Sequence, residues 1–295
     1  MISGSIVALV TPMQEDGSVD YETLHRLIEW HVEEGTDAIV SVGTTGESAT
    51  LGQEEHCQVI RRTIEFVNKR IPVIAGTGAN ATSEAVHLTK RAAEMGADAC
   101  LLVTPYYNKP TQEGLYRHYM TIADAVDVEQ ILYNVPGRTA VNMSVETSAR
   151  LSHHENIIGL KEAADDSADR VVPLRQLCGD DFVLYSGNDD SAREFVLNGG
   201  NGVISVTSNV APKLMHQMMV AAIAGDPEGA AKLDQPLQLL HERLFVQSSP
   251  IPVKWVLEQM GRIGNGIRLP LTWLDAGFHE TLREAMQQAG VIQNS

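Results

Sequence analysis

The chain has 295 residues, 43% hydrophobic and 20% charged, a balance typical of a soluble globular protein. That length fits two domains or one α/β barrel. With 22 Lys+Arg against 38 Asp+Glu, the net charge of −16 excludes nucleic acid or anionic membrane as a general partner. An anionic substrate held by local positive charge stays open, and aromatics at 5% call for an aliphatic core.

The first predicted strand, Ile6–Val10, follows a start with no basic region, so no secretory leader is expected. No apolar stretch approaches the ~20 residues of a membrane helix, and the cytoplasm is the expected compartment. Seven more strands are predicted at Ala38–Val42, Pro72–Ala75, Ala99–Val103, Gln130–Asn134, Ile157–Leu160, Phe182–Tyr185 and Gly202–Val206. Amphipathic helices lie between and after them, at Tyr21–Glu34, Gln53–Asn68, Ser83–Met95, Gln112–Ala125, Val145–Ser152, Asp169–Cys178, Ser191–Leu197 and Pro212–Ala224. Asp20, Thr82 and Thr111 are predicted N-caps. Gly35 and Gly96 are predicted to close the first and third helices in the left-handed conformation.

Strict β-α alternation implies a parallel sheet, and eight units fit a closed (β/α)8 barrel over residues 1–225. From Asp226 the alternation stops. Asp226–Leu244, Ile251–Met260 and Leu274–Ala289 read as helices, with Ser249-Pro250-Ile251-Pro252 breaking the first from the second. Residues 226–295 are therefore expected to form a small helical region after the barrel. Cys57, Cys100 and Cys178 are odd in number and lack metal spacing, so buried free thiols are expected.

A barrel places its reactive groups just after the strands. Gly43-Thr44-Thr45-Gly46-Glu47 offers amides and hydroxyls that suit a carboxylate or phosphate, or is only a strand-to-helix turn. Gly76-x-Gly78-x-x-Ala81 mimics a dinucleotide fingerprint, but it follows the third strand. Asp98, the nearest acid, precedes a strand, so a nicotinamide-dependent oxidoreductase is a poor reading. Tyr106, Tyr107 and Tyr133 end strands, where phenols pack in a core or move protons. Arg138, on the Pro136-Gly137 turn, is a surface charge or a bidentate carboxylate clamp. His153-His154 lie on a loop and no metal-binding histidine spacing occurs, so no metal is expected.

Ile157-Ile158-Gly159-Leu160 runs straight into Lys161, as a strand buried on both faces would. Burial there favours a neutral amine, which can attack a carbonyl and form a Schiff base. The alternative is a strand-end lysine in an ion pair or holding an anion.

Taken together, Gly43–Glu47, Tyr133–Arg138 and Lys161 resemble the dihydrodipicolinate synthase family, within the pyruvate-dependent class I aldolases and lyases. The resemblance runs from Gly4-Ser5-Ile6-Val7-Ala8 through Ser249-Pro250-Ile251-Pro252-Val253-Lys254 to Arg268-Leu269-Pro270. It implies that Lys161 condenses with pyruvate to an imine and then an enamine. Thr44 and Thr45 would bind the pyruvate carboxylate and relay protons, with Tyr133 as main acid/base. Thr44 would link Tyr133 to Tyr107 of a neighbouring subunit. Arg138 would hold the carboxylate of aspartate semialdehyde, and Gly187 and Ile204 would line the pocket through their backbones. No external cofactor is implied.

Lysine feedback is implied through Ser48, Ala49, His56, Asn80, Glu84 and Tyr106, with Gln53 departing from the histidine found in some members. A homotetramer of two tight dimers is implied as well. The same family includes N-acetylneuraminate lyase and keto-deoxy-sugar-acid aldolases. Pro136-Gly137-Arg138-Thr139 favours the synthase over these, since a polyol needs a small or polar residue at 138. A barrel that binds a keto acid without turnover would be expected to lose one of Lys161, Tyr133, Thr44, Tyr107 or Arg138, and all five are present.

Overall fold

The computed structural model describes residues 1–292; the last three positions of the predicted C-terminal region, 293–295, lie outside the described residues. Eight parallel strands, each bonded to the next and β8 to β1, close a barrel. They are β1 Gly4–Ala8, β2 Ala38–Ser41, β3 Val73–Gly76, β4 Ala99–Val103, β5 Gln130–Asn134, β6 Ile157–Glu162, β7 Val183–Ser186 and β8 Gly202–Ser205. Around them run α1 Tyr21–Glu33, α2 Gln53–Val67, α3 Thr82–Met95, α4 Gln112–Ala125, α5 Pro136–Thr139, α6 Val145–Leu151, α7 Ser167–Cys178, α8 Ala192–Leu197 and α9 Pro212–Ile223.

Side chains alternate between the barrel interior and the helix layer. Ile6, Val40, Ile74, Leu101, Ile131, Tyr133, Tyr185 and Ile204 fill the interior. Leu102, Leu132, Ile157, Leu160 and Leu184 face outward against the surrounding helices. The pairing of β5 with β6 breaks this rhythm, since Gln130 pairs with Ile157 but Ile131 pairs with Gly159. One residue is thus extra in β6, and such a bulge switches the face of everything after it. Ile157 and Leu160 both point outward although three positions apart. Lys161 is thereby turned into the barrel.

Several expectations are corrected. β6 continues through Lys161 and Glu162, so the lysine lies within the strand, bonded into the sheet on both sides. Thr82 is the first residue of α3 and does not cap it; its hydroxyl is engaged with His118 Nδ1 at 2.9 Å. Asp20 and Thr111 do cap, accepting from Thr23 N and Gly114 N. Gly35 and Gly96 adopt φ of +86° and +88°. Cys57 and Cys100 are buried free thiols, whereas Cys178 is only half-buried, at the last position of α7.

The chain after the barrel is more broken than its periodicity suggests. α10 Pro227–Asp234 gives way to a 3-10 turn at Gln235–Leu237 and then α11 Gln238–Arg243, because Pro236 supplies no amide hydrogen there. α12 Ile251–Gln259 follows, and α13 starts only at His279, after a turn that Asp275 caps. Trp255, Leu257, Leu282 and Met286 share one apolar cluster with Val203, Met215 and Met219. No helix among the described residues is long and apolar enough to cross a membrane.

Candidate active site

The strand ends converge on a cavity of about 140 Å³. Gly43, Thr44 and Thr45 come from the loop after β2, Tyr133 and Val135 from the end of β5, and Arg138 from α5. Lys161 and Ala163 come from β6 and just beyond, Gly187 and Asn188 follow β7, and Phe245 and Ser249 arrive from the C-terminal helical region. Two basic side chains, Arg138 and Lys161, line this cavity, and among the described residues no carboxylate does.

Lys161 is 6% exposed. It stands opposite Tyr133 in β5 and Tyr185 in β7, and its Nζ lies 4.3 Å from the centre of the Tyr133 ring. Gly187 closes the other side, its amide donating to Glu162 O at 2.7 Å. A Cβ there would fall 2.5 Å from that of Ala163 and 3.0 Å from Lys161 Cε, so only glycine leaves the amine its space.

The strand carrying Lys161 is fastened from behind. Glu162, facing outward, accepts from Asn134 Nδ2 at 2.8 Å and Ala164 N at 2.9 Å, and lies 3.0 Å from Arg170 Nε. Burial pushes its carboxyl up, and Arg170 opposes that. Because Glu162 is the next residue in the strand, this network sets where the lysine begins.

Arg138 is exposed on α5, a helix where the sequence suggested an open turn. Among the described residues its guanidinium makes one hydrogen bond, to Ser249 O at 3.3 Å. Arg138 lines the cavity, and its planar fork suits a planar anion.

A second cavity, of about 270 Å³, adjoins the first. Ser48, Ala49, His56, Glu84 and Tyr106 line it, and Thr44 and Arg138 belong to both walls. Asn80 does not reach its wall but donates to Tyr106 O at 3.2 Å. Burial holds the His56 imidazole below its ordinary value, while Nε2 donates to Gly76 O at 2.7 Å. Burial raises the Tyr106 phenol, and Glu84 raises it further. Gln53 Nε2 donates to Glu84 Oε1 at 2.9 Å.

Besides Asn80, two predicted site residues lie off the cavity walls. Tyr107 is 90% exposed with φ +76°, outside the cavity of its own chain. Ile204 packs deeper in the barrel interior, and Val206 lines the wall instead. Sequence reasoning did not place Asn188, Phe245 or Ser249 in the site. Asn188 directly follows Gly187, and Ser249 opens the Ser249–Lys254 motif, so both carried a local signal; Phe245 carried none. Beyond the mouth, Asp165, Asp189, Asp190 and Glu242 form an acidic rim that shares Asn188 and Phe245 with the cavity. No cluster of three or more His, Cys, Asp or Glu among the described residues could hold a metal.

An amine enclosed under a phenol, beside hydroxyls and an unpaired guanidinium, can condense with the carbonyl of a small anionic keto compound. Known proteins are similar to this chain along its length. The 4-hydroxy-tetrahydrodipicolinate synthase of Methylococcus capsulatus is 62% identical over 292 residues, covering 99% of this chain and 100% of that protein. The corresponding synthase of Thioalkalivibrio sulfidiphilus is 59% identical over the full length of both. Among solved structures, a chloride-inhibited dihydrodipicolinate synthase from Acinetobacter baumannii complexed with pyruvate superposes with TM-score 0.97 at 54% identity, covering 99% and 100% of the two chains. One from Cyanidioschyzon merolae with lysine bound gives 0.95 at 41% identity, covering 99% of each. The family model for the dihydrodipicolinate synthetase family matches residues 1–289, and the chain belongs to that family.

Proposed function

We propose that this chain is a 4-hydroxy-tetrahydrodipicolinate synthase, condensing pyruvate with L-aspartate 4-semialdehyde on the diaminopimelate route to lysine. The observation that carries this reading is a cavity lined by the Lys161 amine, the Arg138 guanidinium and, among the described residues, no carboxylate, in a chain of net charge −16. Such a site selects anions bearing a carbonyl.

Lys161 Nζ attacks the pyruvate carbonyl carbon, and the carbinolamine loses water to give an imine. Thr44 and Thr45 hold the pyruvate carboxylate. Removal of a proton from the methyl carbon gives an enamine, which attacks the aldehyde carbon of the second substrate. The aldehyde oxygen takes up a proton and becomes the product hydroxyl. The substrate amine then adds to the imine carbon, closes the ring and releases Lys161. Tyr133, over the lysine, moves these protons, relayed through Thr44 to Tyr107 of a neighbouring subunit. Arg138 holds the aldehyde's carboxylate, while Gly187 and Val206 shape the pocket.

The bare Tyr107 side chain supports an assembly in which another subunit covers it, and we infer a homotetramer of two tight dimers. The barrel, 1–225, and the helical region, 226–295, are inferred to act as one catalytic unit, since Phe245 and Ser249 reach the cavity. Lysine is the inferred effector at the second cavity, and the cytoplasm the inferred compartment.

Borohydride reduction with pyruvate, followed by peptide mass spectrometry, tests the reading. A reduced adduct confined to Lys161 is expected. Addition of aspartate semialdehyde, but not N-acetylmannosamine or a sugar aldehyde, should then give turnover. No adduct on folded protein in excess pyruvate would leave a binding-only barrel.

A further inference from the structure

The Gly43–Glu47 loop ends in a residue that the proposed reaction does not use. Glu47 has φ +59°, a left-handed conformation that a non-glycine residue keeps only where its surroundings over-determine it. Its amide donates to Thr44 O at 3.1 Å, so Glu47 and Thr44 belong to one tight turn. The turn is held from the barrel side by Thr11 Oγ1, which donates to Gly46 O at 2.7 Å.

The Glu47 side chain runs the other way, into the C-terminal helical region. One carboxylate oxygen accepts from Lys254 Nζ of α12, and both side chains are fully buried. The other oxygen accepts from Arg268 N at 3.1 Å. The Arg268 guanidinium donates to Gly17 O at 2.7 Å, to Thr50 O at 3.0 Å and to both Glu55 oxygens, at 2.6 and 2.7 Å. Burial pushes the Lys254 ammonium below its ordinary value, and the Glu47 charge opposes that shift.

A fully buried ion pair is a poor device for stability, because desolvation offsets most of its attraction. It does fix two backbones at one separation. Here the backbones are the turn carrying Thr44 and Thr45 and the first part of α12. Ser249, two residues before α12, also receives Arg138 through its carbonyl. One helix start is therefore tied to both ends of the cavity.

We propose that Glu47 and Lys254 are positioning residues for the condensation: their ion pair fixes the Thr44-Thr45 segment at the pyruvate end of the cavity, making the C-terminal helical region part of the pyruvate site. This rests on the synthase reading above. The tie to Arg138 runs through a backbone carbonyl and survives a change at 254, so loss of the pair acts on pyruvate more than on the aldehyde.

The test compares wild type, K254M, the neutral double variant E47Q/K254M, and E47D, which keeps the charge but shortens the arm. Each is assayed for thermal stability, both Michaelis constants, kcat and the rate of reductive trapping at Lys161. K254M alone leaves a buried charge unpaired and should be both less stable and weaker for pyruvate. The double variant should regain most of the stability yet keep a pyruvate KM raised about ten-fold, with the aldehyde KM within about two-fold of wild type. E47D should raise the pyruvate KM about five-fold or more. A folded double variant with wild-type constants would overturn the positioning role, as would a folded E47D with an unchanged pyruvate KM if the double variant does not fold. Wild type that traps no pyruvate would overturn the synthase reading itself; trapping by wild type beside unaltered variants would overturn only the role of the pair.

Discussion

Tyr133 and Lys161 face each other across the β5–β6 register, and the lysine nitrogen lies 4.3 Å from the centre of the phenol ring. The ring walls the amine while only the hydroxyl can move a proton, so Y133F separates the two roles. Pyruvate trapping at Lys161 should persist in Y133F, with a pyruvate KM near wild type. The kcat should fall by about 10²–10⁴, the range for loss of a general acid/base. Loss of trapping in folded Y133F would instead assign the hydroxyl to imine formation.

Arg138 lines the cavity wall, and among the described residues its guanidinium pairs with no carboxylate. R138A should raise the KM for aspartate semialdehyde by about 10–100-fold, the equivalent of about one charge-assisted hydrogen bond. Trapping of pyruvate alone should stay within about three-fold of wild type. Equal losses for both substrates would contradict the division of labour.

In the second cavity the Glu84 carboxylate already accepts from the Gln53 amide. An effector ammonium must share or displace that bond. At saturating pyruvate, lysine should inhibit wild type, E84Q should need about ten-fold more lysine or higher, and Q53A should need less. An unchanged rate in wild type at millimolar lysine would remove the effector site.

Two histidines far from the chemistry predict acid lability. Burial holds His31 down to about 3, with Arg262 acting in the same direction, and burial alone holds His118 down to about 4. In the unfolded chain both titrate near about 6.5. Below that pH the unfolded state binds protons that the folded state refuses. Stability from these sites is therefore complete above about pH 6.5 and is lost as pH falls towards the folded values. The slope is at most about 1.4 kcal/mol per pH unit for each histidine. Urea midpoints at fixed protein concentration should drop between about pH 7 and 5, and H118Q should flatten the drop. A flat wild-type profile would contradict it.

The barrel was legible because β-α alternation is a local pattern, and each unit carries its own strand, turn and cap. Lys161 was legible for a reason that simple alternation does not supply. Counted in twos from Ile158, which faces inward, position 161 would face the helices; the extra residue in β6 turns it inward. A bulge is a property of two strands in register and leaves no trace in one of them. Thr82 misled because its hydroxyl has a rival partner, His118, that is 36 residues away. Phe245 and the Glu47–Lys254 pair were beyond local reading, since each depends on how the C-terminal helices dock against the loops.

The charge of the cavity has a consequence for how substrates arrive. Seen from afar, the molecule is an anion, with Asp165, Asp190 and Glu242 in a pocket beside the cavity, and it repels the keto acid it needs. Only over the last few ångströms do Lys161 and Arg138 reverse the sign. Dissolved salt damps the distant field beyond a Debye length of about 8 Å at physiological ionic strength, and damps the enclosed cations far less. Moderate salt should therefore speed capture, the reverse of an active site whose outer surface attracts its substrate.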